Sequence, residues 1–141
     1  MGIRHATIND QDIIAALLAQ LDYHNTANFL AEKINRLIKD PDSVLLIYET
    51  QDGPAAFISL QFITQLGLEG DFARISYFSV DASARGRSIG KEMESYCEQL
   101  ARQRHCDRME VHCHERRTGA HRFYLRQGFE ESPKYFMKRL A

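Results

Sequence analysis

Three small groups of side chains in this chain could do chemistry. Arg85, Gly86, Arg87, Ser88, Ile89, Gly90 and Lys91 put cations and glycines together within one short stretch. Glycine has no side chain to hold an anion away from the backbone, and a helix starting here would point its first unpaired N–H groups outward at the positive end of its dipole. That combination binds phosphate. A plain turn with solvated basic residues is the alternative. The stretch is neither a P-loop, whose Gly-x-x-x-x-Gly-Lys-Ser/Thr it lacks, nor a dinucleotide fingerprint, which needs a third glycine at another spacing. Further on, Glu110, His112 and His114 alternate, so a strand would turn all of them to one face. A carboxylate or imidazole there could serve as a general base, and His112 with His114 could hold a divalent metal if Glu110 or His121 completed the set. Two histidines without a certain third ligand favour no metal. Tyr124 is a phenol, protonated and able to donate at neutral pH; on its own it reads first as a core aromatic.

The elements that must position these groups follow from spacing. Residues 75–80 are β-branched and aromatic and read as a strand, and the glycine-containing turn follows directly. After the turn, Ile89, Met93, Tyr96, Cys97, Leu100 and Ala101 recur every three or four residues, which predicts a helix with Lys91, Glu92, Glu94, Ser95, Glu98 and Arg102 on its wet side. Upstream, residues 2–6 suit a short strand. Asn9, Asp10 and Asp12 open a helix carrying Ile13, Ile14, Leu17, Leu18 and Leu21 that stops near Asp22. Asn25 and Thr26 open a second one carrying Phe29, Leu30, Ile34, Leu37 and Ile38, which Asp40 and Pro41 end. Residues 44–48 and 55–63 form a hairpin about Gln51, Asp52, Gly53 and Pro54, and a glycine-containing connection over 65–71 leads into a strand over 72–80. Beyond the central helix come a strand over 107–114 and a helix with Thr118 as its N-cap and Ala120, Phe123 and Tyr124 facing inward. Gly128 serves as the left-handed residue past its end. Residues 130–132 and 135–140 read as a closing pair of strands around Pro133. This order is α+β, a mixed and mostly antiparallel sheet with helices on both faces.

Size and charge bound the rest. A chain of 141 residues with 44% hydrophobic content, 8 Phe and 6 Tyr is one domain, residues 1–141, with enough apolar surface for a core. With 18 basic against 19 acidic residues, the net charge of −1 argues against nucleic-acid binding by bulk phosphate attraction. The start lacks the apolar core of a signal peptide, and no apolar run approaches the ~20 residues of a membrane span, so a cytoplasmic protein is expected. Cys97, Cys106 and Cys113 are odd in number and not in Cys-x-x-Cys spacing, which suits reduced thiols.

Two stretches carry a family resemblance. Residues 85–90 resemble the Arg/Gln-x-x-Gly-x-Gly/Ala signature of the GNAT N-acetyltransferases, with Ser88 where that family usually has Gly. Tyr124, Gly128 and Phe129 match its Tyr-x-x-x-Gly-Phe segment. From Arg117 to Gly128, with Leu60, Gln61 and Phe62 and the region after Asp40, the chain is similar to bacterial aminoalkylphosphonate N-acetyltransferases, most strongly after Val80 and weakly before Phe29. The resemblance implies direct acetyl transfer from acetyl-CoA to a primary amine of a small molecule through a ternary complex, with an aminoglycoside or protein-lysine acceptor, or a non-catalytic acyl-CoA sensor, as alternatives. It also implies a homodimer. Tyr124 would be the acid for the departing thiolate and Glu110 or His112 the base. The donor would lie on Phe78, Ser79 and Val80, on Arg85, Gly86, Arg87, Ser88, Ile89, Gly90 and Lys91, and on Arg117, Ala120, Phe123 and Tyr124. The loop with Tyr23, His24 and Asn25 would touch the acceptor. Arg74 and Tyr77 stand where the phosphonate enzymes carry acids, so that part of their base machinery does not carry over.

Overall fold

The computed structural model describes residues 1–113, 117–132 and 135–141. Its sheet runs in sequence order, β1 (Gly2–His5), β2 (Ser43–Thr50), β3 (Gly53–Ile63), β4 (Asp71–Val80) and β5 (Cys106–Val111). Neighbours are antiparallel except β4 and β5, which are parallel. Before β2 come α1 (Gln11–Ala19) and α2 (Leu30–Lys39); α3 (Ile89–Gln103) crosses from β4 to β5, and α4 (Thr118–Arg126) follows β5.

The period-two alternation of β2 and β3 sorts their side chains between two cores. Leu45, Ile47 and Phe57 meet Ile14, Leu17, Leu18, Leu30 and Ile34 of α1 and α2. Leu46, Ala56, Ile58 and Leu60, with Ala73 and Ile75 of β4, meet Ile89, Met93, Cys97 and Ala101 of α3 and Tyr124 of α4. The sheet is thus covered on both faces. Its first strand is fastened to α1 by Arg4, whose guanidinium donates to both Asp10 oxygens at 2.9 and 2.8 Å and to Glu49 at 3.0 Å. Asp10 also accepts from the Thr7 amide while Thr7 accepts from Asn9, a reciprocal cap at the entry to the helix.

Some expectations need correcting. Thr26 and Phe29 lie in a turn, and α2 starts only at Leu30. Arg117, not Thr118, is the N-cap of α4. The strand expected over 107–114 ends at Val111, and His114 lies outside the described residues. Residues 130–132 and 135–141 are not strands; Phe136 and Leu140 stand 93% and 92% exposed, and Pro133 lies outside the described residues. The apolar alternation there has no sheet face to settle on. Glu94, placed on the wet side of α3, is 1% exposed. Its neighbours Met93 and Cys97 widen the inward stripe enough to take it in, and α4 packs over that side.

The end of α4 is as expected. Gly128 has φ +95°, its N–H bonds to the Leu125 carbonyl, and the Phe129 N–H reaches back to Tyr124 at 3.0 Å. This double closure needs a left-handed residue after the helix, and it sets Phe129 against the Tyr124 ring.

Candidate active site

The site grows out of a divergence in the sheet. β4 and β5 pair from Asp71 and Cys106 to Ile75 and Val111, after which β5 ends while β4 continues to Val80 with a ladder partner only in β3. The departure coincides with a bulge: Ser59 opposes Tyr77 and Leu60 opposes Ile75, so Ser76 is an extra residue that bends the strand. Among the described residues, 76–80 therefore keep one edge without a strand partner.

At the end of β4, Asp81 accepts from Ser83 N–H at 3.0 Å and starts a short 3-10 turn over Ala82–Ala84. Arg85 donates through Nε to the Val80 carbonyl at 3.3 Å and Arg87 to the Ser83 carbonyl at 3.2 Å, so both cations are folded back onto the loop. Gly86 has φ +85° and open space where a Cβ would stand. Ser88, the N-cap of α3, sits at φ 66°, ψ 13° and makes no side-chain capping bond. A residue in the left-handed region is favoured to be Gly, which accounts for the glycine the GNAT signature carries there. The first turn of the 15-residue α3 is left uncapped by side chains beside an open glycine corner, which is the geometry for an anion.

Three elements converge behind this corner. A Cβ on Gly90 would lie 3.2 Å from Phe123 of α4 and 3.8 Å from Phe78 of β4, so its being glycine lets the helices close up. Phe78 and Phe123 meet edge to face at 5.9 Å, and Phe123 and Tyr124 at 5.3 Å. Tyr124 is 9% exposed, and burial first, then Cys113, push its hydroxyl well above the usual tyrosine range, so it stays a donor throughout neutral pH. Ser79, 3% exposed, is turned the other way and donates to the Leu17 carbonyl at 3.1 Å. Ala120 packs against the core and Arg117 is exposed at the start of α4.

The opposite face of the sheet carries the remaining polar groups. Met109, Val111 and Cys113 pack toward α3 and α4, so Glu110 and His112 alternate to the far side from Tyr124. The Glu110 carboxylate accepts from Arg74 at 3.3 Å and from Arg108 at 2.9 Å, so both oxygens are engaged. Arg74 Nε is buried without a partner, and both guanidiniums lie over the Phe72 ring. His112 is exposed and stacked on Tyr135 at 4.3 Å. Nearer the bulge, Gln61 donates to Ser59 at 3.1 Å and accepts from Ser76. Tyr23, in the α1–α2 connection, meets Tyr77 edge to face at 5.3 Å. The connection is turned at Asp22 and Asn25, both left-handed, which these residue types tolerate.

Sequence reasoning missed the chain from Ser59 through Gln61 to Ser76, because the bulge that gathers it is a pairing irregularity with no local signature. It also missed the Glu94 carboxylate; the inward position next to Met93 was its one available signal. Among the described residues no cluster of three or more His, Cys, Asp or Glu could hold a metal ion, and no helix is long and apolar enough to cross a membrane.

Comparison with known proteins bears on the family and the fold. The chain is 29% identical over 143 residues to the aminoalkylphosphonate N-acetyltransferase of Salmonella typhimurium, covering 98% of this chain and 90% of that protein. It superposes on a transcriptional regulator from Bacillus halodurans with TM-score 0.89 at 20% identity, covering 98% of both chains. A GNAT family acetyltransferase of Staphylococcus aureus gives 0.81 at 17% identity, covering 99% of this chain and 100% of that one. These structural likenesses share the fold. Residues 11–129 match the acetyltransferase (GNAT) family, and the chain belongs to that family as an acetyltransferase.

Proposed function

We propose that the chain moves an acetyl group from acetyl-CoA to the primary amine of a small molecule, directly and within a ternary complex. The observation that carries this reading is the meeting of an uncapped α3 terminus and an open corner at Gly86 with the end of β4 that β5 leaves unpaired, behind which the rings of Phe78, Phe123 and the buried Tyr124 are in contact. The pyrophosphate of the donor takes the amides of Arg87 through Lys91, with Arg85 and Arg87 adding charge. Its pantetheine arm lies along the main chain of Phe78, Ser79 and Val80, and Arg117, Ala120 and Phe123 cover it from α4. The amine attacks the thioester carbonyl as Glu110 or His112 takes its proton, and Tyr124 protonates the departing sulfur. Because Glu110 is already held by two guanidiniums, His112 is the less encumbered base.

An amine that also bears an anionic group suits the acceptor face, where Arg74 keeps a buried Nε without a partner. The phosphonate acceptor named for the Salmonella relative supports the same class. The catalytic unit we propose is a single cytoplasmic domain paired as a homodimer.

Thiol release from acetyl-CoA over a panel of aminoalkylphosphonates, aminoglycosides and lysine peptides tests this reading. Release with the phosphonates is expected. Donor binding without release on any amine would instead make the chain an acyl-CoA sensor. Tyr124→Phe should lower kcat about 10²-fold or more with donor affinity unchanged.

A further inference from the structure

Ser76 stands alone in its strand. Every other residue of β4 has a register partner in β3 or β5, but β3 skips Ser76 at the bulge and β5 ends its pairing at Ile75, so among the described residues Ser76 has none on either side. Its side chain is exposed, and the hydroxyl donates to the side-chain oxygen of Gln61. Gln61 is held in that orientation from its other end, where its amide nitrogen donates at 3.1 Å to the buried Ser59. A hydroxyl has a single proton, so with that proton committed to Gln61 the Ser76 oxygen offers solvent lone pairs alone. Whatever meets it there must be a donor.

The bulge sets this oxygen on the face proposed for the acceptor. Leu60 and Ile75 pack into the α3 core, so Gln61 and Ser59 alternate to the other face, together with Arg74, which opposes Gln61 on one side and Glu110 on the other. Tyr77 opposes Ser59, and Tyr23 meets its ring at 5.3 Å, so an aromatic pair walls the same spot. In the donor pose proposed above, the arm leaves the corner over residues 85–91 and runs back along Val80, Ser79 and Phe78. Its acyl end then arrives at Tyr77 and Ser76.

We propose that Ser76 reads the acceptor as a primary amine: its Oγ accepts the N–H that the product amide keeps, and Gln61 is the positioning residue that holds the Ser76 proton out of the way. This rests on the acetyl-transfer reading above. A neutral primary amine has a pair of N–H protons. As the nitrogen–carbon bond forms and the carbon–sulfur bond breaks, one of them goes to the base and the other stays on nitrogen. The thiolate takes the Tyr124 proton to become the free thiol of CoA, solvent reprotonates Tyr124, and the base gives its proton to solvent, so the cycle balances. Nitrogen gains positive charge as it attacks, so the retained N–H becomes a stronger donor and its bond to Ser76 tightens toward the transition state. A secondary amine has a single N–H, which the base must take, and nothing is left for Ser76.

The test compares thiol release from acetyl-CoA with 2-aminoethylphosphonate and with its N-methyl derivative; an aminoglycoside or lysine peptide and its N-methyl form replace them if the amine panel selects that class. Ser76→Ala, a change at an exposed position, should lower kcat/KM about tenfold for the primary amine, the size of one hydrogen bond to a group gaining charge, and less than about twofold for the secondary one. The preference for the primary amine narrows by the difference. Ser76→Thr keeps the hydroxyl and should keep the preference. Gln61→Leu frees the Ser76 proton and should narrow the preference too, with nothing further lost when it is added to Ser76→Ala. Acetyl-CoA affinity in calorimetry should hold within about twofold in every variant. A preference unchanged in Ser76→Ala, whether both amines slow equally or neither does, overturns this inference and leaves the acetyl-transfer reading standing. So does a wild type that cannot use the secondary amine at all, because exclusion beyond one hydrogen bond is set by the walls of the site. A fall in donor affinity with Ser76→Ala makes Ser76 a donor contact and refutes its role here, and a further loss from Gln61→Leu in that background refutes the positioning role of Gln61. No thiol release by the wild type with any amine of the panel removes the acetyl-transfer reading, and this inference with it.

Discussion

Replacing Ser88 with glycine should stabilise the protein. Ser88 holds φ 66° and makes no capping bond, so its side chain contributes nothing to set against the backbone strain. A non-glycine residue in this region costs about 1–2 kcal/mol. Glycine gives back roughly 0.5–1 kcal/mol through the freedom it gains in the unfolded chain. The difference is a net gain of about 0.5–1 kcal/mol, or about 2–3 °C in melting temperature for a domain of this size. Urea unfolding of Ser88→Gly beside Ser88→Ala separates the causes, because alanine keeps the Cβ and the strain and should show no gain. Calorimetry with acetyl-CoA adds a second arm: removing a Cβ beside the amides of α3 should leave affinity unchanged within about twofold or improve it. The reasoning fails if Ser88→Gly is no more stable than Ser88→Ala. It fails as well if donor affinity drops tenfold, for then the hydroxyl is itself a ligand.

Other outcomes follow from neighbouring features. Asp10→Asn should cost about 1.5–3 kcal/mol, the range for hydrogen bonds to charged groups, since Arg4 and the Thr7 amide both use that carboxylate. The Arg4 guanidinium, ahead of the Thr7 amide and against the opposing effect of burial, holds Asp10 below the usual aspartate range. A depressed carboxylate stabilises the fold above its unfolded pKa and loses that contribution as pH falls through its folded one, so acid denaturation of the wild type should be steeper than that of Asp10→Asn. Gly70→Ala would put a Cβ 2.9 Å from the His105 carbonyl and 3.0 Å from the Asp107 backbone, and should destabilise by about 1–3 kcal/mol. Gly67→Ala, with nothing within 4 Å, should be neutral in the same urea series. Gly90→Val should push Phe123 off α3 and weaken acetyl-CoA uptake in calorimetry, since its Cβ starts at 3.2 Å from that ring.

Much of this architecture was readable from spacing. The inward stripe of α3, the alternation of β2 and β3 and the glycine after α4 each have a local physical cause, and each element stands where its pattern put it. The corner proposed for the donor was readable as a glycine-containing turn into a helix because its features are contiguous: cations, glycines and a helix start within seven residues. Glu94 was not, since a helical wheel treats an acid as solvent-facing and cannot anticipate α4 covering that flank. The face proposed for the acceptor was readable only as single residues. Arg74, Glu110 and Arg108 had candidate roles or none, but their mutual ion pairs depend on the parallel register of β4 with β5, which no local pattern states. The tail beyond Phe129 alternates like a strand, yet its described residues are exposed and unpaired, because alternation sets a strand only where a sheet face receives it.

The end of α1 is latched to the strand that leads into the donor corner. Ser79 donates to the Leu17 carbonyl, and Gln20 bridges Asp81 at 2.7 Å and the Ala82 amide at 3.1 Å. The connection carrying Tyr23 leaves from that same end of α1 and touches Tyr77. In the proposed ternary complex the two reactants would therefore share a wall. If the donor binds as proposed, whatever draws the loop after Val80 onto its nucleotide would also pull on the rim proposed to meet the amine, so the affinity for either partner should depend on whether the other has already arrived.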